Sequence, residues 1–204
     1  MSRKLKISIN HNIFNKTPNS SLDWSMGFDP CELSIEELSE VINFGFSFGY
    51  IYKNEIRKTE NFISSDILCI DMDGDRTIKD TLNDGIVKKY GSLFYTTPSH
   101  TPDIHRFRIV FTLPRAITDV VKLKQSMTSL SRRLGGDMSV VDGGRLFFGS
   151  HNSNPTILGK SISDKYLNEL IEDGKVTVNS ESKSYQGKTT NRSKLILDMN
   201  MKVV

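Results

Sequence analysis

Two periods of apolar residues divide this chain into elements: alternation along some stretches, helical spacing along others. An apolar run over residues 66 to 73 reads as a strand, residues 78 to 90 as a helix stopped by Gly91, and residues 92 to 97 as a second strand. The loop PSHTPD leads into HRFRIVFTL, which alternates as a third strand over residues 105 to 113. Val120, Leu123, Met127, Leu130 and Leu134 then share one helical face, closed by Gly135 and Gly136. RLFFG, from Arg145, reads as a fourth strand.

The order β-α-β-β-α-β predicts an α+β fold with an RNA-recognition-like core, an antiparallel sheet carrying both helices on one face. Its spatial strand order should be fourth, first, third, second. Ahead of this core lie a strand-like LKISI, a polar loop and a short helix near residues 34 to 44. Ser34 and Glu37 have the spacing of a capping box there, and Leu38, Val41 and Ile42 supply an apolar face. Residues 1–174 are thus expected to form one domain, with 1–60 an α/β accessory module and 61–155 the core. From 175 to 204 the composition turns polar, that of a linker or tail, and the final LILDMNMKVV reads as a docking segment or a lead into something longer.

With 37% hydrophobic residues among 204, the chain can bury a core. A net charge of +3 permits a polyanionic partner without requiring one. Cys31 and Cys69 are too few and too far apart for a disulfide framework or a four-ligand zinc site, which points to a reducing compartment with Cys69 in the core. No apolar run reaches the length of a membrane span and MSRKLKISIN lacks an apolar signal core, so a cytoplasmic protein is expected.

The chemistry concentrates in LCIDMDGD, where the first strand ends in carboxylates at alternate positions. Asp71 and Asp73 share a strand face, and Leu68, Ile70 and Met72 point toward the helices. The predicted topology brings Ser99, His100, Arg106, Arg108, Asp137, Asp142 and Arg145 to the same rim. Paired carboxylates with a third acid are the hard oxygen ligands preferred by Mg2+ or Mn2+, and arginines with a histidine beside them suit a triphosphate. The bland alternative is that the acids cap a turn at Gly74 and the arginines neutralise them. A calcium loop starting at Asp71 fails, since its sixth and twelfth positions are Arg76 and Leu82. A haloacid-dehalogenase-like phosphatase, with Asp71 as nucleophile and Asp73 as acid, fits the motif order. It requires a parallel sheet, which the short connection between the second and third strands opposes. Lys79, Lys88, Lys89, Lys122, Lys124, Arg132 and Arg133 read as solvated helix faces, and Tyr95, Phe147 and Phe148 as core.

DILCIDMDGD, then YTTPSHTPDIHRFRIVFTLPRAI, then GGDMSVVDGGRLFFGS, preceded by RKTENFISSDIL, resemble the ordered motifs of the archaeo-eukaryotic primase superfamily, in its primase-polymerase branch of phages, plasmids and other mobile elements. The resemblance covers about residues 50 to 155. It implies DNA primase-polymerase activity: template-directed nucleotidyl transfer from nucleoside triphosphates on single-stranded DNA, with a primer and, downstream, a helicase or priming module as partners. By motif position, Asp71 and Asp73 match the acids that bind two Mg2+ or Mn2+ ions, and His100 the histidine that contacts the nucleotide's phosphates. Ser99 stands beside that histidine. Asp137 or Asp142 matches the third acid, with Asp137 preferred because it precedes a DGG element. Arg106, Arg108 and Arg145 fall where triphosphate binders are expected. A single-strand-binding initiator domain without catalysis is the opposing class, and it would have no need of the acids.

Overall fold

A computed structural model of the protein describes residues 3–18 and 24–175. The linker or tail and its terminal segment, expected from residue 175 onward, fall outside the described residues beyond that position. Two antiparallel sheets share one apolar core. The first is organised on β1 (Leu5–Phe14), which pairs with β2 (Thr17–Pro18), β3 (Asp29–Leu33) and β4 (Phe46–Gly49). The second has the order β5-β6-β8-β7-β9, from β5 (Ile51–Tyr52), β6 (Phe62–Asp73), β7 (Leu93–Thr96), β8 (Arg106–Ile117) and β9 (Thr156–Ile157).

The first, third and second predicted strands are therefore neighbours in the expected order, as β6, β8 and β7. The fourth is not. Residues 145–149 form no ladder in this sheet; Phe147 instead exchanges both backbone hydrogen bonds with Phe48 of β4 (2.9 and 3.0 Å). On that flank of β6 the ladder is with β5, at Phe62 and Ser64. Gly149 explains the close passage: a Cβ there would stand 2.3 Å from the Phe46 carbonyl oxygen. The expected strand is thus reduced to a single bridge at Phe147, and alternation carried no information about which sheet the segment joins.

Helix α1 (Ile35–Phe44) begins with the capping box read from the sequence, the Ser34 hydroxyl accepting from Glu37 N and the Glu37 carboxylate from Ser34 N. The expected helix over residues 78 to 90 is broken into α2 (Ile78–Leu82) and α3 (Gly85–Tyr90). Asp84 caps the second piece, one carboxylate oxygen accepting from Ile86 N, while its other oxygen holds Arg76. Helix α4 (Val120–Leu134) buries Leu123, Met127, Leu130 and Leu134 against β6 and ends at Gly135. A further helix, α5, covers 164–175 and packs Leu167 and Leu170 into the core. Cys69 is fully buried and Cys31 half-buried, neither in a disulfide. No helix among the described residues is long and apolar enough to cross a membrane.

The antiparallel second sheet overturns the phosphatase alternative. A doubly wound fold needs parallel strands joined by crossover helices, whereas β6, β7 and β8 pair antiparallel with β8 in the centre.

Candidate active site

The register of β6, β8 and β7 writes the site across the sheet. Asp71 lies opposite Arg108, which lies opposite Tyr95; one step along, Asp73 lies opposite Arg106. Arg106 Nε stands 2.7 Å from Asp73 Oδ1. Arg108 Nη2 donates to Asp71 Oδ2 at 3.0 Å, and its Nε makes a 2.8 Å ion-pair contact with Oδ1 in which the N–H is turned off the line of a hydrogen bond. With both helices expected on the other side, this face should be free of helices, and here β1, β4 and residues 145–149 pack over part of it. That cover delivers Arg145, whose Nη2 donates to Asp71 Oδ2 at 3.2 Å, and the Phe148 carbonyl, which accepts from Arg108 Nη1 at 3.0 Å and from the Tyr95 hydroxyl at 3.1 Å.

Asp137 arrives from the end of α4. Its backbone N–H donates to the Asp71 carbonyl at 2.9 Å, and one of its carboxylate oxygens accepts from Ser139 N. The residue before it has to be small: a Cβ at Gly136 would stand 2.6 Å from Ile70 Cγ2 and 3.0 Å from the Asp71 carbonyl oxygen. The glycine thus fixes how near the third acid comes to the first.

Asp71, Asp73, Asp137, Ser99, Arg106, Arg108 and Arg145 line one cavity of ≈ 160 Å³. His100 and Asp142 lie outside its lining. Asp142 is exposed and caps its own loop, accepting from Gly144 N. His100 stands just behind the wall, its Nδ1 accepting from Arg106 N at 3.2 Å. Because a backbone N–H can only donate, Nδ1 carries no proton and the neutral ring holds its proton on Nε2. Partial burial and then the neighbouring His105, 5.7 Å away ring to ring, push the His100 pKa below the usual value, which favours this neutral form. His105 is occupied elsewhere, its Nδ1 accepting from Ile78 N.

Arg108 remains charged although it is buried. Burial opposes the charge, and the Tyr95 oxygen and Asp71 outweigh it, so its pKa is raised. Burial in turn pushes the Tyr95 hydroxyl up and keeps it protonated.

Lys16 is a charged cavity residue that periodicity did not reveal. It comes from the β1–β2 turn, where Asn15 and Lys16 both have left-handed φ values (44° and 62°), and its Nζ donates to Ser99 Oγ at 3.1 Å. An Asn-containing turn between strand-like runs was the available signal. Its contact is 83 positions away in sequence, which no local pattern discloses. Phe148, read as core, also lines the cavity.

The donor types suit a hard divalent cation: carboxylate oxygens alone, with the Asp73 side chain half exposed. Among the described residues, no group of three or more histidine, cysteine or acidic side chains is close enough to hold a metal ion as it stands, and the arginines engage both Asp71 oxygens.

No protein-family model and no curated protein matches the sequence. Among solved structures, the chain overlaps the primase-polymerase domain of cyanophage S-2L with a TM-score of 0.45 and 8% identity, over 83% of this chain and 89% of that one. It overlaps primase RepB′ at 0.45 and 14% identity over 95% of this chain, spanning 64% of the length of RepB′. The catalytic domain of RepB′ in complex with initiator DNA gives 0.44 and 13% identity, over 89% and 90% of the two chains. All three are primase-type domains. Overlap at this level aligns part of the architecture, and the chain's own side chains carry the functional reading.

Proposed function

We propose that the protein is a DNA primase-polymerase, a nucleotidyltransferase that joins nucleoside triphosphates to the 3′ end of a strand on a single-stranded DNA template. One observation carries this reading: the strand-borne acids Asp71 and Asp73, the tethered Asp137 and four cationic side chains line a single cavity. A pure phosphate-binding surface gains nothing from acids at its centre, since they repel the ligand. An acid-arginine cavity can take a cation and a polyphosphate together.

In the reaction, the 3′-hydroxyl oxygen bonds to the α-phosphorus and the α–β bridging bond breaks, releasing pyrophosphate. Asp71, Asp73 and Asp137 would hold Mg2+ or Mn2+, which when bound supplies Lewis-acid stabilisation of phosphoryl charge. Arg106, Arg108, Arg145 and Lys16 bind the triphosphate and offset the charge that develops on the leaving pyrophosphate. Their present carboxylate contacts hold the guanidinium groups in place until phosphate oxygens replace those partners. Arg145 Nε, buried and without a hydrogen bond, is a donor still to be satisfied. His100, protonated on Nε2, is set to donate one neutral hydrogen bond to a phosphate oxygen. Residues 1–174 act as the catalytic unit, with 61–155 its core, in the replication of a mobile element or phage inside the cell.

The test is synthesis from labelled triphosphates on single-stranded DNA with Mg2+ or Mn2+, with and without a primer. Asp73→Ala and the isosteric Asp71→Asn should each lower product at least about 100-fold, in the range of removing one preorganised charge-stabilising group. Near-normal synthesis in both would overturn the assignment. Absence of any product, with oligonucleotide held equally well in chelator, would identify a non-catalytic single-strand binder.

A further inference from the structure

Exposed aromatic side chains are concentrated where three segments meet: the end of β1, the end of α1 and the turn over 150–154. Phe14 is 40% exposed and Phe44 is 61% exposed. Phe46 lies between them, 6.3 Å from Phe14 and 6.4 Å from Phe44, with His11 4.7 Å from Phe46 and His151 5.5 Å from Phe14, ring centre to ring centre.

The strip is held from beneath. Asn15 N donates to the Gly45 carbonyl, Asn152 N to the Asn43 carbonyl, His151 N to Asn15 Oδ1 and Asn154 N to Asn43 Oδ1, at 2.8, 3.0, 3.1 and 2.9 Å. The first two answer backbone oxygens at the end of α1 that would otherwise face solvent, and the last two tie the 150–154 turn to the Asn15 and Asn43 side chains. Gly45 ends the helix with φ 97°, and a Cβ there would stand 2.9 Å from Phe14 Cε2, so the ring lies directly on the helix end. The rings are preorganised by this scaffold.

The strip also leads somewhere. Lys16, two positions after Phe14, reaches Ser99 in the catalytic cavity. The groups interleaved with the rings are neutral amides and imidazoles, and the cation stands at the cavity end. Ring planes turned 33° and 71° from that of Phe46, hydrogen-bonding groups beside them and a cation at one end fit the separately turned bases of a single strand of nucleic acid. A protein helix would instead seek a continuous hydrophobic groove, which a strip broken by amides and imidazoles does not supply.

We propose that Phe14, Phe44 and Phe46, flanked by His11 and His151, form a base-stacking platform that guides the single-stranded template past Lys16 into the cavity. The direction toward the cavity rests on the function proposed above; binding by the platform does not.

The experiment is fluorescence anisotropy of a labelled oligothymidylate with the full chain in chelator, compared with a strand of the same length lacking bases. Phe14→Ala with Phe44→Ala should weaken binding of the oligothymidylate about tenfold or more, as loss of one or two stacked bases implies. The same change should leave the abasic strand's weaker binding unaltered, and Phe44→Trp should retain wild-type affinity. Phe44→Ala alone, at the most exposed ring, gives a reading of about fivefold should the double variant fold poorly. Unchanged affinity in the alanine variants, or an equal loss for the abasic strand, would overturn the platform. Ring-dependent binding in a protein that synthesises nothing would support the platform and remove the polymerase instead.

Discussion

Arg108 and Arg133 each meet an aspartate, a tyrosine ring and a second arginine. Arg108 has Asp71, Tyr95 at 5.9 Å and Arg145; Arg133 has Asp173, Tyr166 at 5.6 Å and Arg132. The side chains of Arg108 and Asp71 are 7% and 14% exposed, whereas those of Arg133 and Asp173 are 25% and 31% exposed, with the second outer arginine, Arg132, at 47%. The outer network joins α4 to α5, with Glu169 and Ser129 completing it. The inner one lines the cavity. Water screens the outer charges and can replace a lost partner. Inside, desolvation of the charges offsets much of their attraction, and apolar residues of similar volume would stabilise the fold equally well. Stability alone therefore gives little reason for the inner network, in keeping with the ligand-binding role proposed for it.

The largest effect expected from this comparison is that of Arg108→Met, which strands Asp71 in a poorly solvated site with Arg145 as its remaining arginine partner. A loss of about 3 to 5 kcal/mol in urea unfolding is expected, against about 1 kcal/mol or less for Arg132→Ala. Equal costs would break the distinction. Next comes the compensated change, Asp71→Leu with Arg108→Met, which should return stability to within about 1 to 2 kcal/mol of wild type while abolishing synthesis. A stable double variant that still synthesises would assign the inner pair to structure alone.

The outer network gives a pH signature. A hydrogen bond from Ser129, then those from Arg132 and Arg133, hold the Asp173 carboxyl at about 2 rather than 3.8. A depressed carboxyl stabilises the fold above its unfolded value and loses that contribution as pH falls through the folded one. The stability gap between wild type and Asp173→Asn should thus be full near neutrality, shrink from about pH 4 and close near pH 2. Allowing for solvent screening, the full gap is about 1 kcal/mol. Thermal unfolding across that range measures it, and a gap that widened in acid would contradict the assignment.

The two networks also differ in how far they could be read from the sequence. Alternation placed Asp71 and Asp73 on one face of β6 and Arg106 and Arg108 on the matching face of β8, because strand period and hairpin order fix such pairs locally. The route of residues 145–149 was not legible, since a short extended run pairs wherever a partner backbone is free, and here that partner is Phe48. Arg132 and Arg133 read as solvated helix residues because their partners lie on α5, some 40 positions away, beyond the reach of local periodicity. The break between α2 and α3 was written in Asn83-Asp84-Gly85 and was overridden by the apolar spacing around it.

Lys16 sharpens the comparison at its smallest effect. Its contact with Ser99 is exposed, like those of the outer network, yet it lies at the inner one. As an exposed contact it should add little to stability, so Lys16→Ala is expected to change unfolding by no more than about 0.5 kcal/mol. As a cation at the cavity it should matter to the ligand. Losing one charge-assisted bond of about 1.5 to 3 kcal/mol predicts a roughly tenfold or greater rise in KM for the triphosphate, with a smaller change in kcat. Lys16→Arg should keep most of the affinity, because the charge is retained. A fall in kcat with KM unmoved would place Lys16 at the transition state rather than in binding, and a loss of several kcal/mol in unfolding would make the hairpin turn a structural clamp.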